Sequence, residues 1–274
     1  YKELSIGTAA PTADELAQVK HHFVHNKSIE DKYDVADYEN DVINFLKQYF
    51  KTKNVAVMTG GSGLYIDAVC NGLDFMPDIS KEVRDRVSSM FETDGLEALQ
   101  KEVERVDNEY YQIVDRQNPR RLQRALEVYY QTGKPYSTFR QRNVAKRDFE
   151  ITKLAMLWDR AQLIERINRR VDLMMQQGLL EEVKSVYAKR HLNSLNTVGY
   201  KELFDYLDGK YTLEQAVEQI KINTRQYAKR QMTWLRKDND YKWVTIDEVD
   251  EIISTLFETL TLPGGRPHIC KGHQ

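Results

Sequence analysis

The stretch VAVMTGGSGLYIDAV, residues 55–69, decides the fold. A short apolar run leads into a glycine-rich turn and then into residues of helical character, which reads as strand, loop, helix. In an α/β protein such a loop lies at the carboxyl end of a strand. It lifts backbone N–H groups and, here, the Ser62 hydroxyl toward whatever anion sits at the helix N-terminus. A phosphate-gripping P-loop needs GxxxxGK followed by Ser or Thr, because the lysine and the amides share the phosphate charge. Gly60, Gly61 and Gly63 surround Ser62, but no lysine follows them. A phosphate or ribose–phosphate ligand is one reading of this loop, and a purely structural tight turn is the other.

Working outward, DVINFLKQYF (residues 41–50) places Val42, Phe45, Leu46 and Tyr49 on one helical face just before the strand. Helix, strand and helix in that order are the material of a parallel α/β layer. FEITKLAMLW (149–158) and KWVTI (242–246) read as two further strands. Between them Leu163, Ile167, Val171 and Met174 form one apolar stripe, with Gly178 as its interruption. Thr212 and Gln215 fit a capping box that opens a long helix. Residues 77–106 are charged and helical without strand signals, as a helical insertion would be. The tail LPGGRPHICKGHQ changes composition abruptly and is expected to be unstructured.

A chain of 274 residues with 41% hydrophobic and 30% charged residues can bury one large core or two smaller ones. No apolar run reaches the length of a membrane span and no secretory signal is visible. Two cysteines, Cys70 and Cys270, make no disulfide framework, so a reducing cytoplasm is expected. The opening at Tyr1 reads as the middle of an element, so further sequence upstream is expected. His21 and His22 have no Cys or carboxylate at ligand spacing, and His268, Cys270 and His273 form only a loose H-x-C-x-x-H. A metal site is expected at neither.

The net charge is −2, but the cations are bunched. Residues 118–147 carry Arg120, Arg121, Arg124, Lys134, Arg140, Arg142, Lys146 and Arg147 against the single acid Glu127. Residues 219–237 carry Lys221, Arg225, Lys229, Arg230, Arg236 and Lys237 with no acid. Two such blocks suit a polyanion met from one side, or two solvated helix faces balanced by acids elsewhere. Tyr129, Tyr130 and Tyr136 interleave the first block as base-stacking rings do, and equally as core residues do.

The ordered segments IGTAAPT, HHF, GGSGLY, NPRRLQRALEV, TGKP, RINRRVDLMMQQGLLEEV, VGYKEL and TRQYAKRQMTWLR together closely resemble the tRNA dimethylallyltransferase family. The resemblance implies an α/β fold: a P-loop-NTPase-like core with a parallel sheet plus a mostly helical insertion domain. It puts the core at 1–74 and 146–258, the insertion at 75–145 and the unstructured tail at 259–274. It implies transfer of a dimethylallyl group from dimethylallyl diphosphate to N6 of the adenosine 3′ to the anticodon of tRNA, releasing diphosphate. An allylic diphosphate leaves as charge builds on its bridging oxygen, so cations and amides must gather there, and the target base must leave its stack.

By the same resemblance Ser62 and Arg225 are catalytic, Ser62 standing where most relatives have Thr. Gly60, Gly61, Gly63 and Thr8 line the diphosphate channel. Arg120, Arg121, Leu122, Gln123, Arg124, Asn196, Thr197, Val198, Gly199, Tyr200, Lys201, Lys229, Arg230 and Arg236 are the tRNA-binding positions. Mg2+ is implied, with most of its ligands upstream and Ser62 beside it, together with the ATP- and nucleotide-binding character of P-loop proteins. The lysine-bearing phosphate loop and a catalytic aspartate are expected upstream of YKELSIGTAAPT, so residues 1–274 alone are expected not to turn over. The partners are the tRNA anticodon stem-loop and dimethylallyl diphosphate, without a membrane, and the chain is expected to act as a monomer. A nucleotide-kinase-like P-loop enzyme and a non-catalytic RNA-binding fragment are the alternatives.

Overall fold

The structure, a computed structural model, describes residues 1–141, 144–260 and 268–272. Arg142 of the first basic block, together with residues 261–267 and 273–274 of the expected tail, lies outside the described residues. The chain divides into two compact units, one of Tyr1–Ile66 with Asp148–Gln274, the other of Asp67–Arg147.

The elements in chain order are α1 (Ala13–Gln18), α2 (Val35–Tyr49), β1 (Val55–Thr59), α3 (Gly63–Asn71), α4 (Lys81–Val106), α5 (Asn108–Ile113) and α6 (Pro119–Thr132). They continue with β2 (Glu150–Met156), α7 (Arg160–Gln176), α8 (Leu179–Val186), α9 (Tyr200–Leu207), α10 (Leu213–Leu235), β3 (Tyr241–Val244), α11 (Val249–Leu260) and β4 (His268–Gly272). The three strands expected from the apolar runs are present, and the sheet is wholly parallel in the order β1-β4-β2-β3. The α/β class with a parallel sheet is thus the observed one.

The expectation of an unstructured tail is corrected at His268–Gly272. β4 lies inside the sheet, with Ile269 opposite Ala56 on one side and Ile151 on the other. Ile269 is 1% exposed. The five residues HICKG carry little strand signal of their own. Their strand is made by backbone pairing to two neighbours rather than by local propensity.

In the first unit α7, α8, α9 and α10 enclose an apolar core of Val171, Leu179, Val183, Tyr200, Leu203 and Ile220. The stripe read from the sequence supplies it, since Ile167 and Val171 face inward on α7. Gly178, at φ 100, ends that helix and starts α8 in a backbone conformation other residues rarely adopt. Thr212 caps α10 and Gln215 returns the bond, the expected capping box. Toward the front, His22 stacks on Phe45 at 4.3 Å, and Phe23, Tyr38 and Tyr65 continue the ring contacts. His22 therefore packs as an aromatic.

In the second unit α4, α5 and α6 close over Val87, Leu99, Val103, Tyr110, Leu122 and Leu126. Gly95, at φ 75, breaks α4 into two rods. Tyr136 meets Tyr110 edge-on at 4.8 Å, and the Tyr130 hydroxyl donates to Glu102 at 2.6 Å. Of the two readings of these tyrosines, core packing is the one realised at both. Leu126 is fully buried, so Leu126→Ala is expected to lower the unfolding free energy by about 2–5 kcal/mol. The same change at Leu173, 44% exposed, is expected to cost about 0.5 kcal/mol or less; urea titration measures both.

Candidate functional site

The glycine loop leaves the carboxyl end of β1 and enters α3, as the strand–loop–helix reading requires. Its partner is α10. The Tyr227 hydroxyl donates to the Gly61 carbonyl at 3.0 Å, and the Gln231 carboxamide donates to the same oxygen at 2.7 Å. Gly63 lies against the Trp234 indole, where an added Cβ would come within 2.6 Å of Nε1. A side chain at Gly61 would collide with the Gln231 amide that bonds its carbonyl. Gly63 is thus required by the close approach of the Trp234 ring, whereas a side chain at Gly61 would displace the Gln231 amide. The Ser62 carbonyl accepts from Tyr65 and Ile66, which starts α3.

Arg225 stands on the same helix but on another face. Its guanidinium donates to Asn168 of α7 at 2.8 Å and pairs with Glu218 at 3.1 Å. One turn earlier Lys221 pairs with Asp172 at 2.6 Å. The cation stripe read from the sequence is therefore partly matched by acids from α7 and from α10 itself. Lys229, Arg230 and Arg236 are exposed, and Arg230 lies over the Tyr227 ring at 5.8 Å. At the carboxyl ends of β2 and β3, an open cavity is lined by Trp158, Asp159, Gln162, Thr245 and Asp247. Arg166 stacks on that Trp158 ring at 4.2 Å.

A third cluster joins two of the quoted motifs. The Glu182 carboxylate of α8 accepts from the amides of Ser5 and Ile6 at 2.8 Å, from Gly7 at 2.9 Å and from the Tyr200 hydroxyl at 2.6 Å. Burial opposes its ionisation, but the Tyr200 hydroxyl and the three amides outweigh burial and hold its carboxyl below the usual carboxylate range. Burial, then the bond to Glu182, pushes the Tyr200 phenol well up. Thr8 spends its hydroxyl on the carbonyls of Leu4 and Ser5, within this same turn. Phe23 and His25 hold positive φ, at 62° and 51°, and His25 Nε2 is 3.1 Å from the Ser5 hydroxyl.

Of the residues carried as tRNA contacts, Asn196, Thr197 and Lys201 are exposed, whereas Gly199 and Tyr200 are buried and Val198 is half-buried. In the second unit Arg120 and Arg121 are exposed, Arg124 is half-buried 3.6 Å from Glu127, and Leu122 and Gln123 are buried. The side chains of Leu122 and Tyr200 belong to the cores, as helical periodicity requires: one face of each segment must pack inward. Arg147 of the first basic block is a cap, donating to the carbonyls of Val69 at 2.9 Å and Ala68 at 2.8 Å. Among the described residues no group of three His, Cys, Asp or Glu side chains is placed to hold a metal ion. No described helix is long and apolar enough to cross a membrane.

Glu182, Asn168, Tyr227 and Gln231 were not singled out from the sequence. All four lie inside the quoted motifs, but nothing in spacing alone says which residue of a motif bonds another.

A glycine loop at the carboxyl end of a parallel strand, braced by a helix that carries cations, belongs to the α/β class of folds in which ligands are bound beyond the strand ends. The family described as IPP transferase matches residues 1–238. Among relatives, tRNA dimethylallyltransferase 1 of Bacteroides fragilis is 48% identical over 256 residues, 93% of this chain and 85% of that one. Its counterpart in Phocaeicola vulgatus is 49% identical with the same coverage. The crystal structure of the full-length tRNA isopentenylpyrophosphate transferase of Bacillus halodurans matches with TM-score 0.64 at 32% identity, covering 95% of this chain and 84% of that one. A eukaryotic dimethylallyltransferase solved acting on tRNA shares the fold, with TM-score 0.73 at 22% identity over 96% of this chain and 71% of that one. The chain belongs to the IPP transferase family, the tRNA dimethylallyltransferases, and is a prenyltransferase.

The Glu182 cluster gives a pH-dependent expectation. A carboxyl whose native pKa is lowered stabilises the fold above its unfolded value, near 4.3, and loses that contribution as pH falls through the native value. The stability gap between the parent and Glu182→Gln is therefore expected to be full above about pH 5 and to shrink on further acidification, measured by urea unfolding at stepped pH.

Proposed function

We propose that this chain transfers a dimethylallyl group from dimethylallyl diphosphate to N6 of the adenosine on the 3′ side of the tRNA anticodon. One observation carries the reading: α10, which bears Arg225, is hydrogen-bonded directly to the glycine loop through Tyr227 and Gln231. Loop amides and the Ser62 hydroxyl on one side, and Arg225 on another face of the bracing helix, are the groups that can meet charge building on a departing diphosphate, and the reading requires a ligand that reaches both. Asn168 holds the Arg225 guanidinium without cancelling its charge, since its amide oxygen is neutral. Glu218 is the counter-ion that an incoming diphosphate displaces.

Thr8 supports the channel from within its own turn, its hydroxyl already bonded to Leu4 and Ser5. RNA docking falls to exposed cations and amides. Arg120 and Arg121 serve in one unit, and Asn196, Thr197, Lys201, Lys229, Arg230 and Arg236 in the other. Mg2+ and ATP rest on the family resemblance. The loop offers hydroxyl and carbonyl oxygens, and among the described residues no carboxylate cluster stands ready for a magnesium ion, so no step is routed through the ion. Action in the cytoplasm as a monomer belongs to the same proposal.

The test is transfer of labelled dimethylallyl diphosphate to an anticodon stem-loop, with a stem-loop lacking the target adenosine as control. Ser62→Ala and Arg225→Ala are each expected to lower kcat about 100-fold. Stem-loop affinity is expected to fall steeply with salt. Arg120→Ala and Arg121→Ala should each flatten the log–log slope by about one unit, and an affinity indifferent to salt would overturn the docking assignment.

A further inference from the structure

The peptide unit joining Gly61 to Ser62 is gripped at its oxygen by two neutral donors from one helix. Tyr227 and Gln231 are four apart on α10, so they share a face, and their polar ends converge on the Gly61 carbonyl at 3.0 and 2.7 Å. That oxygen has two lone pairs, and both are taken. The peptide is trans, so its N–H points opposite to its C=O. Fixing the Gly61 oxygen onto α10 therefore turns the Ser62 N–H away from α10.

Among the described residues, neither the Ser62 N–H nor its hydroxyl has a hydrogen-bond partner. The N–H groups of Gly63 and Leu64 follow as first-turn donors of α3, free of any intrahelical acceptor. Trp234, packed on Gly63, limits rotation of the loop. Burial pushes the Tyr227 phenol up, so it stays a neutral donor. Neither Tyr227 nor Gln231 adds a negative charge where an anion must sit. A carboxylate in place of Gln231 would have repelled both the carbonyl and the ligand.

We propose that Gln231 and Tyr227 are positioning residues for the donor substrate: by clamping the Gly61 carbonyl they orient the Ser62 N–H and hydroxyl, and the amides behind them, toward the diphosphate. They act through the loop and do not touch substrate. The inference rests on the prenyl-transfer reading and adds to it the device that shapes the loop.

The test uses the full-length protein and separates donor from acceptor. Gln231→Met keeps length and removes the donor; Tyr227→Phe removes one oxygen. KM for dimethylallyl diphosphate is expected to rise about threefold in each and about tenfold in the double variant, as loss of one and then two net hydrogen bonds predicts. KM for the stem-loop should stay within about twofold of the parent. Gln231→Lys, which keeps an N–H donor at similar reach, should return the donor KM toward the parent value. Tyr227→Phe alone carries the test should the double variant fail to fold. A donor KM unchanged in a folded variant, or donor and stem-loop KM rising together in step with a lowered thermal midpoint, overturns the proposal. An unaltered full-length protein that transfers no prenyl group instead overturns the reaction assignment, so the two failures are told apart.

Discussion

A half-buried carboxylate organises the first unit. Glu182 receives three consecutive backbone amides and a phenol. An unpartnered buried polar group costs about 1–3 kcal/mol, a penalty that falls most heavily on the buried Tyr200 hydroxyl and less on the amides, which are part-buried or exposed. The turn at Ser5–Gly7, helix α8 and the buried Tyr200 at the start of α9 are thereby fixed to one another. Asn196, Thr197 and Lys201 owe their presentation to that anchoring, because Tyr200 closes the segment that carries them.

Helix α10 divides its labour by face. Positions 221 and 225 meet α7 through charge and amide contacts, with Glu218 of α10 pairing with Arg225, while 227, 231 and 234 meet the glycine loop through neutral groups and a close-packed ring. A negative charge near the loop would repel an anion, whereas charge on the α7 side is balanced locally. The separation follows from 100° per residue: side chains two apart, such as Arg225 and Tyr227, look in nearly opposite directions. One helix can therefore carry a cation and brace a loop.

Much of this was legible in the sequence, and the reasons differ from place to place. β1, β2 and β3 announced themselves as apolar runs with turn residues on either side, and the Thr212 cap as a spacing of three. The order of eight motifs gave the family, although GGSGLY alone would have fitted a structural turn. Chemistry at the level of individual contacts was not legible. Gln231 and Trp234 are ordinary residues of an amphipathic helix until Gly61 and Gly63 are seen against them. The tyrosines of the first basic block fitted stacking platforms and core residues alike, and Tyr130 and Tyr136 pack inward; pattern cannot tell an inward ring from an outward one. Arg147 counted toward a basic surface in sequence and serves as a helix cap in space.

β4 was hidden for a different reason. Its ladder partners are β1 on one side and β2 on the other, and β1 has no other strand beside it among the described residues. The strand that delivers the glycine loop is thus wedged into the sheet by five residues from the far end of the chain. Withdraw that wedge and β1 becomes an orphan ribbon whose backbone hydrogen bonds must be found in water, leaving the loop moored by α10 alone.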